Sequence, residues 1–166
     1  MNTYLELIVF SLAIGTGATI VMDIYAIINK RFFNVPSLDY GLLGRWIGHF
    51  KKGLFSHTTI IQAGKIPHER AIGWMTHYLI GITFAFLLLL IWGTGWAYKP
   101  TFGPAIAIGL LTTIAPWFMM QPAFGFGIAA SKTPNPKQAR WRSLKAHTIY
   151  GVGLYLAAWV LSRIIS

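Results

Sequence analysis

The chain has 166 residues, of which 55% are hydrophobic and only 11% are charged. Soluble domains usually carry about 25% charged residues, so this composition excludes an ordinary soluble enzyme and a disordered tail. The net charge is +10, a value that in a soluble protein would indicate nucleic acid as a partner. The sequence has no cysteine, which excludes disulfides, thiolate metal sites and cysteine nucleophiles.

Four apolar stretches are long enough to cross a membrane, since a span needs roughly 20 mostly apolar residues. They predict an all-α, polytopic membrane protein in which four transmembrane helices form a bundle. Residues 1–166 are expected to make a single integral membrane domain. The predicted spans cover approximately residues 5–29, 71–93, 101–130 and 145–165. Basic residues follow the first span rather than precede it, so we interpret it as a retained helix and not a secretory signal.

The distribution of basic residues predicts the orientation of the spans. Lys30 to Arg70 holds seven basic residues and two acids, a net of +5, and Ser131 to Lys145 holds five basic residues and no acid, again +5. The remaining charges sum to zero. The positive-inside rule therefore places both segments in the cytoplasm and both termini in the periplasm. Because topology explains the charge, no nucleic-acid partner is expected.

The connection between the first two spans contains a predicted amphipathic helix over residues 38–55. Its apolar residues recur at helical spacing and are Leu42, Leu43, Trp46, Ile47, Phe50 and Leu54. Off that stripe lie Arg45, His49, Lys51 and Lys52. Pro36 and Ser37 are expected to begin the helix, and Gly53 to loosen its end. The favoured interpretation is an interfacial anchor in which Arg45, Lys51 and Lys52 contact anionic lipid head groups. The alternative is a lipid- or partner-sensing element.

Polar residues inside spans are costly, and their default interpretation is functional. Asp23 and His77 each lie seven residues from a basic residue at the cytoplasmic boundary, about 10 Å inside it at the helical rise. His147 of the fourth span is slightly shallower, and Gln121 of the third is deeper. We therefore predict a shared substrate- or ion-binding site formed by Asp23, His77, His147 and Gln121. The alternative is structural, with Asp23 ionised and paired with a protonated histidine.

The third predicted span is interrupted near its middle by Pro116, Pro122 and Gly125. Irregular backbone at membrane depth is tolerated only beside protein or a water-lined cavity, and broken helices often form substrate sites in transporters. These three residues are therefore predicted to shape a cavity, with a simple packing kink as the alternative.

Three functions fit this pattern. The leading hypothesis is transport or proton-linked handling of a small solute, with Asp23 and His77 as the titratable pair. A four-span monomer is small for a transport path, so this hypothesis predicts a homo-oligomer. A second hypothesis is a redox protein in which His77 and His147, on helices that run in the same direction, ligate a b-type haem. A third is a non-catalytic assembly or regulatory subunit.

The sequence contains none of the common catalytic motifs that would indicate an enzyme. The HExxH, Walker-type and Gly-x-Ser-x-Gly patterns are absent from the sequence. The glycine pairs that resemble phosphate loops lie inside apolar spans, so we interpret them as sites of close helix packing. These pairs are Gly15 and Gly17, Gly125 and Gly127, and Gly151 and Gly153.

Several segments together resemble one known family. They are Gly17-Ala-Thr-Ile-Val-Met-Asp23, Val35-Pro-Ser-Leu-Asp-Tyr-Gly-Leu-Leu-Gly-Arg-Trp-Ile-Gly-His49, Glu69-Arg-Ala-Ile-Gly-Trp-Met-Thr-His77, Met120-Gln-Pro122, Lys132-Thr-Pro-Asn-Pro136 and His147-Thr-Ile-Tyr-Gly-Val-Gly-Leu-Tyr155. The family consists of small bacterial inner-membrane proteins and is known only as a domain of unknown function. The resemblance covers nearly the whole chain and implies four spans in a bacterial inner membrane. Because the family has no established activity, it assigns no role to any residue.

Overall fold

The computed structural model of the protein describes residues 3–165, and the regular elements in that range are all helical. The α-helices are α1 (Thr3–Phe33), α2 (Tyr40–His49), α3 (Glu69–Trp92), α4 (Gly95–Tyr98), α5 (Phe102–Leu111), α6 (Gln121–Ala123) and α7 (Pro136–Ile165). Two short 3₁₀ turns lie at Phe50–Lys52 and Ile128–Ala130. A π-helical segment at Pro116–Met120 lies between α5 and α6.

Within the described residues, four helical segments are long and apolar enough to cross a membrane. They are α1, α3, α7 and the third span, Phe102–Ala123, which combines α5, the π-helical segment and α6. This finding confirms the predicted all-α fold with four membrane-spanning helices and indicates a multi-pass membrane protein. Many large apolar side chains on these helices are exposed, among them Ile8, Ile27, Leu79, Leu90 and Trp159, as expected for surfaces that face lipid.

The fourth span begins nine residues before its predicted boundary because the chain has a strong helix start at Asn135 and Pro136. The Asn135 side chain accepts a hydrogen bond from the Gln138 backbone N–H at 3.2 Å, and proline is favoured at the first helical position. The basic residues Arg140 and Arg142 therefore lie on α7 itself rather than in a loop.

The third span ends at Ala123, seven residues before its predicted boundary, because Gly125 terminates the helix. Gly125 has a φ of +84°, its N–H donates to the Pro122 carbonyl at 3.0 Å, and the Phe126 N–H donates to the Gln121 carbonyl at 2.9 Å. These bonds form a Schellman motif, which favours glycine at the left-handed position. Gly125 thus ends a helix and packs closely, and no role in shaping a cavity is needed to explain its presence.

The described chain divides into two compact units. Unit 1 contains the residues up to Ser37, Tyr78–Thr112 and the residues from Lys145 onward. Unit 2 contains Leu38–His77 and Thr113–Leu144.

Unit 1 is held together by helix contacts at glycines. A Cβ on Gly15 would clash with the backbone of Ile82, and one on Gly81 would clash with the hydroxyl of Thr19. Later residues of α1 contact earlier residues of α3, so these two helices are antiparallel. Helices α5 and α7 are antiparallel in the same way. The predicted packing role is confirmed for Gly15, Gly17, Gly151 and Gly153, because a Cβ on each would meet atoms of a neighbouring helix within 3 Å. Gly125 and Gly127 of unit 2 lie beyond the end of the third span and meet loop residues, so their predicted position inside a span is wrong.

In unit 2, α2 begins at Tyr40 rather than at Pro36 and Ser37. The Asp39 side chain accepts a hydrogen bond from the Gly41 N–H at 2.9 Å and so supplies the N-cap. Gly53, with a φ of +70°, ends the 3₁₀ turn that follows α2, near the predicted end.

The apolar stripe of α2 forms much of the core of unit 2. Leu43 and Trp46 are buried with Ile60, Ala123 and Phe124. Leu42, Ile47 and Phe50 pack against that cluster and are partly buried. The stripe therefore packs against protein to a large extent, while Leu54 and Phe55 are exposed and available to a lipid surface.

Replacing Gly109 with alanine is expected to destabilise the protein by about 1–3 kcal/mol, because overpacking forces the backbone apart. A Cβ at Gly109 would lie 2.7 Å from the Cα of Gly151 and 2.7 Å from the carbonyl oxygen of His147. Gly103 on the same helix provides the control, since a Cβ there meets nothing within 4 Å. Thermal unfolding in detergent compares Gly109→Ala with Gly103→Ala, and equal midpoints would contradict the packing role.

Candidate functional site

Asp23 is buried within the first span, in unit 1, with 8% of its surface exposed. Its carboxylate oxygen Oδ2 accepts a hydrogen bond from the Tyr78 hydroxyl at 3.0 Å. One turn earlier on α1, the Thr19 hydroxyl donates to the Gly15 carbonyl at 2.7 Å and lies against Gly81. Gly15, Thr19 and Asp23, which are spaced four residues apart along α1, therefore face α3.

His147 lies on α7 in unit 1, with its ring nitrogen Nδ1 2.7 Å from the Thr112 hydroxyl oxygen. That hydroxyl donates its single hydrogen to the Gly109 carbonyl at 2.6 Å. It must therefore accept from His147, so Nδ1 of His147 carries a hydrogen. The bond joins the fourth span to the point where α5 ends and the third span becomes irregular.

His77 lies in unit 2, in the first part of α3. Its Nε2 is 2.9 Å from the Tyr40 hydroxyl, and the two rings are stacked with centroids 4.2 Å apart. A bis-histidine haem would require His77 to give up this contact if Nε2 were the ligand. Within the described residues, no group of three or more His, Cys, Asp or Glu side chains is placed to hold a metal ion.

Gln121 also lies in unit 2, at the start of α6, after the π-helical segment of the third span. Within residues 3–165, three buried side-chain atoms have no hydrogen-bond partner: Gln121 Oε1, Trp117 Nε1 and His57 Nδ1. Trp117 and Gln121 are four residues apart and lie about one helical turn from each other. Buried polar atoms without partners are rare in folded proteins and require an explanation, and π-helical segments often occur at functional sites.

The structure thus places Asp23 and His147 in unit 1, and His77 and Gln121 in unit 2. A single shared site composed of all four residues stays a prediction. Asp23, His77 and His147 each form a hydrogen bond with a hydroxyl group. The hydroxyl groups belong to Tyr78, Tyr40 and Thr112, in that order, and the sequence did not predict these contacts.

Arg45 differs from its predicted role at the lipid surface, because it is only 5% exposed and is fully engaged within unit 2. Its Nε and Nη2 donate to the two carboxylate oxygens of Glu69 at 2.9 and 2.8 Å. Its Nη1 lies within hydrogen-bond distance of three loop carbonyls, those of Ile60, Ile61 and Ala63. The Glu69 carboxylate raises the pKa of Arg45 above its usual value. Lys51 and Lys52 are exposed, so the predicted lipid contact now concerns only these two.

His49 and His57 form a hydrogen-bonded pair that sequence analysis missed. His49 Nδ1 is 2.8 Å from His57 Nε2, and His49 Nε2 is 3.0 Å from the Gly64 carbonyl. A carbonyl only accepts, so His49 carries its hydrogen on Nε2 when it is neutral. His49 Nδ1 then accepts from His57 Nε2, which leaves a lone pair on His57 Nδ1. Burial, and secondarily the neighbouring His49, lower the pKa of His57 below its ordinary value of 6.5.

One signal for these contacts was present in the sequence. The basic segment from Lys30 to Arg70 contains only two acids, Asp39 and Glu69, and both have structural roles. Nothing local marked Glu69 as the partner of Arg45, since 24 residues separate them.

Glu69→Gln is expected to destabilise the protein by about 3 kcal/mol, because it leaves the buried Arg45 guanidinium without its carboxylate. Chemical unfolding in detergent measures the loss. Glu6→Gln is the matched control, since its partners are the hydroxyls of Thr94 and Tyr98 rather than a buried cation. A loss at Glu69 no larger than the loss at Glu6 would show that the ion pair does not hold unit 2 together.

Comparison with protein families gives one match. A family described as "Protein of unknown function (DUF2938)" matches residues 12–161, which is nearly the whole described chain. No curated protein and no solved structure matches the sequence.

Proposed function

We propose that this chain, which belongs to the DUF2938 family of proteins of unknown function, carries out proton-linked transport of a small polar solute across a bacterial inner membrane. In this proposal both termini are periplasmic, and the basic connections face the cytoplasm. Exposed Lys51 and Lys52 contact anionic lipid there, and a homo-oligomer completes the transport path.

The buried carboxylate of Asp23 carries the proposal. A carboxylate 8% exposed in the middle of an apolar helix is expensive, and a proton removes its charge. Burying Asp23 costs more free energy when the carboxylate is ionised than when it is protonated. A conformational change that opens the site to one side of the membrane or the other can therefore be coupled to proton uptake by Asp23. Tyr78 supplies a hydroxyl donor that stabilises the ionised state.

The third span supplies the solute contacts in this proposal. The Trp117 indole N–H is a donor and the Gln121 Oε1 is an acceptor, and both are buried without partners among the described residues. A solute that satisfies both must carry an acceptor and a donor, as a neutral primary amide does. Pro116 and Pro122 flank these residues and favour the irregular helix in which they lie.

The proposed topology makes a prediction for fusion proteins in a bacterial host. A reporter that is active only in the periplasm should be active when it is fused to the C-terminus. The same reporter should be inactive when it is inserted in the Ser131–Lys145 segment, because that segment has the charge expected of a cytoplasmic connection. The reverse pattern of activity would contradict the proposed orientation.

The transport prediction is tested with proteoliposomes that enclose a pH-sensitive dye. Adding acetamide or urea outside should change the internal pH, and Asp23→Asn should abolish this change because it removes the titratable group. Asp39→Asn is the matched control, since it makes the same chemical change outside the spans and asparagine is an equally good N-cap.

The result distinguishes transport from the assembly-subunit alternative. If neither probe changes the internal pH with the unmodified protein, transport of neutral amides is wrong. If Asp23→Asn lowers only the thermal midpoint while solute-dependent flux persists, Asp23 is a structural residue and proton linkage through it is wrong.

A further inference from the structure

The loop between α2 and α3 is docked onto the end of the third span within unit 2. The His57 backbone N–H donates to the Ala123 carbonyl at 2.8 Å, and the Ile60 N–H donates to the Phe124 carbonyl at 3.0 Å. These two carbonyls belong to the last helical residues before Gly125 and would otherwise lack a partner at the helix end. Gly125 fits against the Thr58 carbonyl, with no room there for a side chain.

His57 fastens this loop with its side chain as well as with its backbone. Its Nε2 hydrogen bonds to His49 Nδ1 at 2.8 Å, and His49 in turn bonds to Gly64 further along the same loop. The remaining nitrogen, His57 Nδ1, is a buried lone pair with no partner among residues 3–165. When both histidines are neutral, this pattern leaves His57 Nδ1 as an unused basic atom in the docked loop.

We propose that His57 Nδ1 is a proton-binding site and that its protonation releases the loop, residues 54–64, from the end of the third span. A proton on Nδ1 creates an N–H donor that has no acceptor there, and it places a positive charge on a half-buried ring. Both costs disappear when the loop undocks and the imidazolium reaches water. The loop then no longer covers the carbonyls of Ala123 and Phe124.

The charges around the pair do not offset the imidazolium. Helix α2 contributes Arg45 and His49, and the Arg45 charge is compensated by Glu69 at the start of α3. The residues between this loop and α3 include Lys65 and His68, which are both exposed and basic. The packed end of the third span, residues 121–127, contains no charged residue. No carboxylate in these elements is left to hold the proton while the loop stays docked.

The sign of the pH dependence follows from this arrangement. Burial lowers the pKa of His57, so the released loop binds the proton more tightly than the docked loop. Docking is therefore fully stable above pH 6.5 and weakens as the pH falls from 6.5 toward the pKa of the docked state. Since one proton is involved, each pH unit in that window changes the docking equilibrium by at most about tenfold. This inference is independent of the proposed transport function.

The test is amide hydrogen exchange followed by mass spectrometry on the full-length protein in detergent, between pH 5 and 7.5. Protection factors for peptides covering residues 54–64 are corrected for the intrinsic pH dependence of exchange. We expect protection to fall progressively as the pH drops below 6.5, while peptides from α1 keep theirs.

His57→Gln is the matched variant, because its amide N–H can still donate to His49 while the basic Nδ1 atom is removed. It should dock at neutral pH and show no loss of protection on acidification. Constant protection in the unmodified protein would overturn the proposal. An equal loss in both proteins would also overturn it, because the response would then come from another group.

A second measurement decides the matter if His57→Gln does not fold. Histidine-selective ¹⁵N labelling gives the hydrogen position and the titration of each of the five histidines in the unmodified protein. We expect His57 to carry its hydrogen on Nε2 at pH 7.5 and to titrate below 6.5. A hydrogen on Nδ1 at pH 7.5, or titration above 6.5, would overturn the proposal.

Discussion

Lipid offers no hydrogen bonds, so each polar group that enters the interior of this chain must be given a partner by the chain itself. Unit 1 meets this constraint with hydroxyl groups that reach across helix contacts. Tyr150, for example, donates to the Gly81 carbonyl at 2.6 Å while both residues are fully packed. Such contacts require backbones to approach closely, which is why glycines occupy the crossing points of α1, α3, α5 and α7.

In unit 2, a charged side chain supplies the hydrogen bonds that buried polar groups need. The Arg45 guanidinium bridges Glu69 and the carbonyls of an otherwise irregular loop, and so replaces the hydrogen bonds that a helix would have made internally. Gly44 of α2 and Gly73 of α3 let α2 lie against the start of α3. A side chain on either glycine would clash with the backbone of the facing helix. Arg45 thus becomes a structural centre of unit 2 rather than the predicted lipid contact.

Hydropathy and spacing predicted the features that depend on local sequence. The four spans and the helical stripe of α2 follow from composition and period. Span ends were less accurate, because the Schellman motif at Gly125 and the cap at Asn135 override hydropathy. Contacts between residues distant in sequence, such as those of Arg45 with Glu69 and His49 with Gly64, have no periodic signal. The burial of Arg45 was therefore beyond sequence reasoning.

The two units differ in how completely their polar groups are satisfied. The buried side-chain atoms without partners, among the residues that the structure describes, all belong to unit 2. The same unit contains the π-helical segment and both 3₁₀ turns. Helices with regular hydrogen bonds and backbone-to-backbone contacts resist change, whereas irregular segments with unsatisfied atoms gain interactions when a ligand or proton arrives. The long regular helices of the fold thus belong mainly to unit 1, whereas the irregular backbone and the unsatisfied buried atoms of the described residues are concentrated in unit 2.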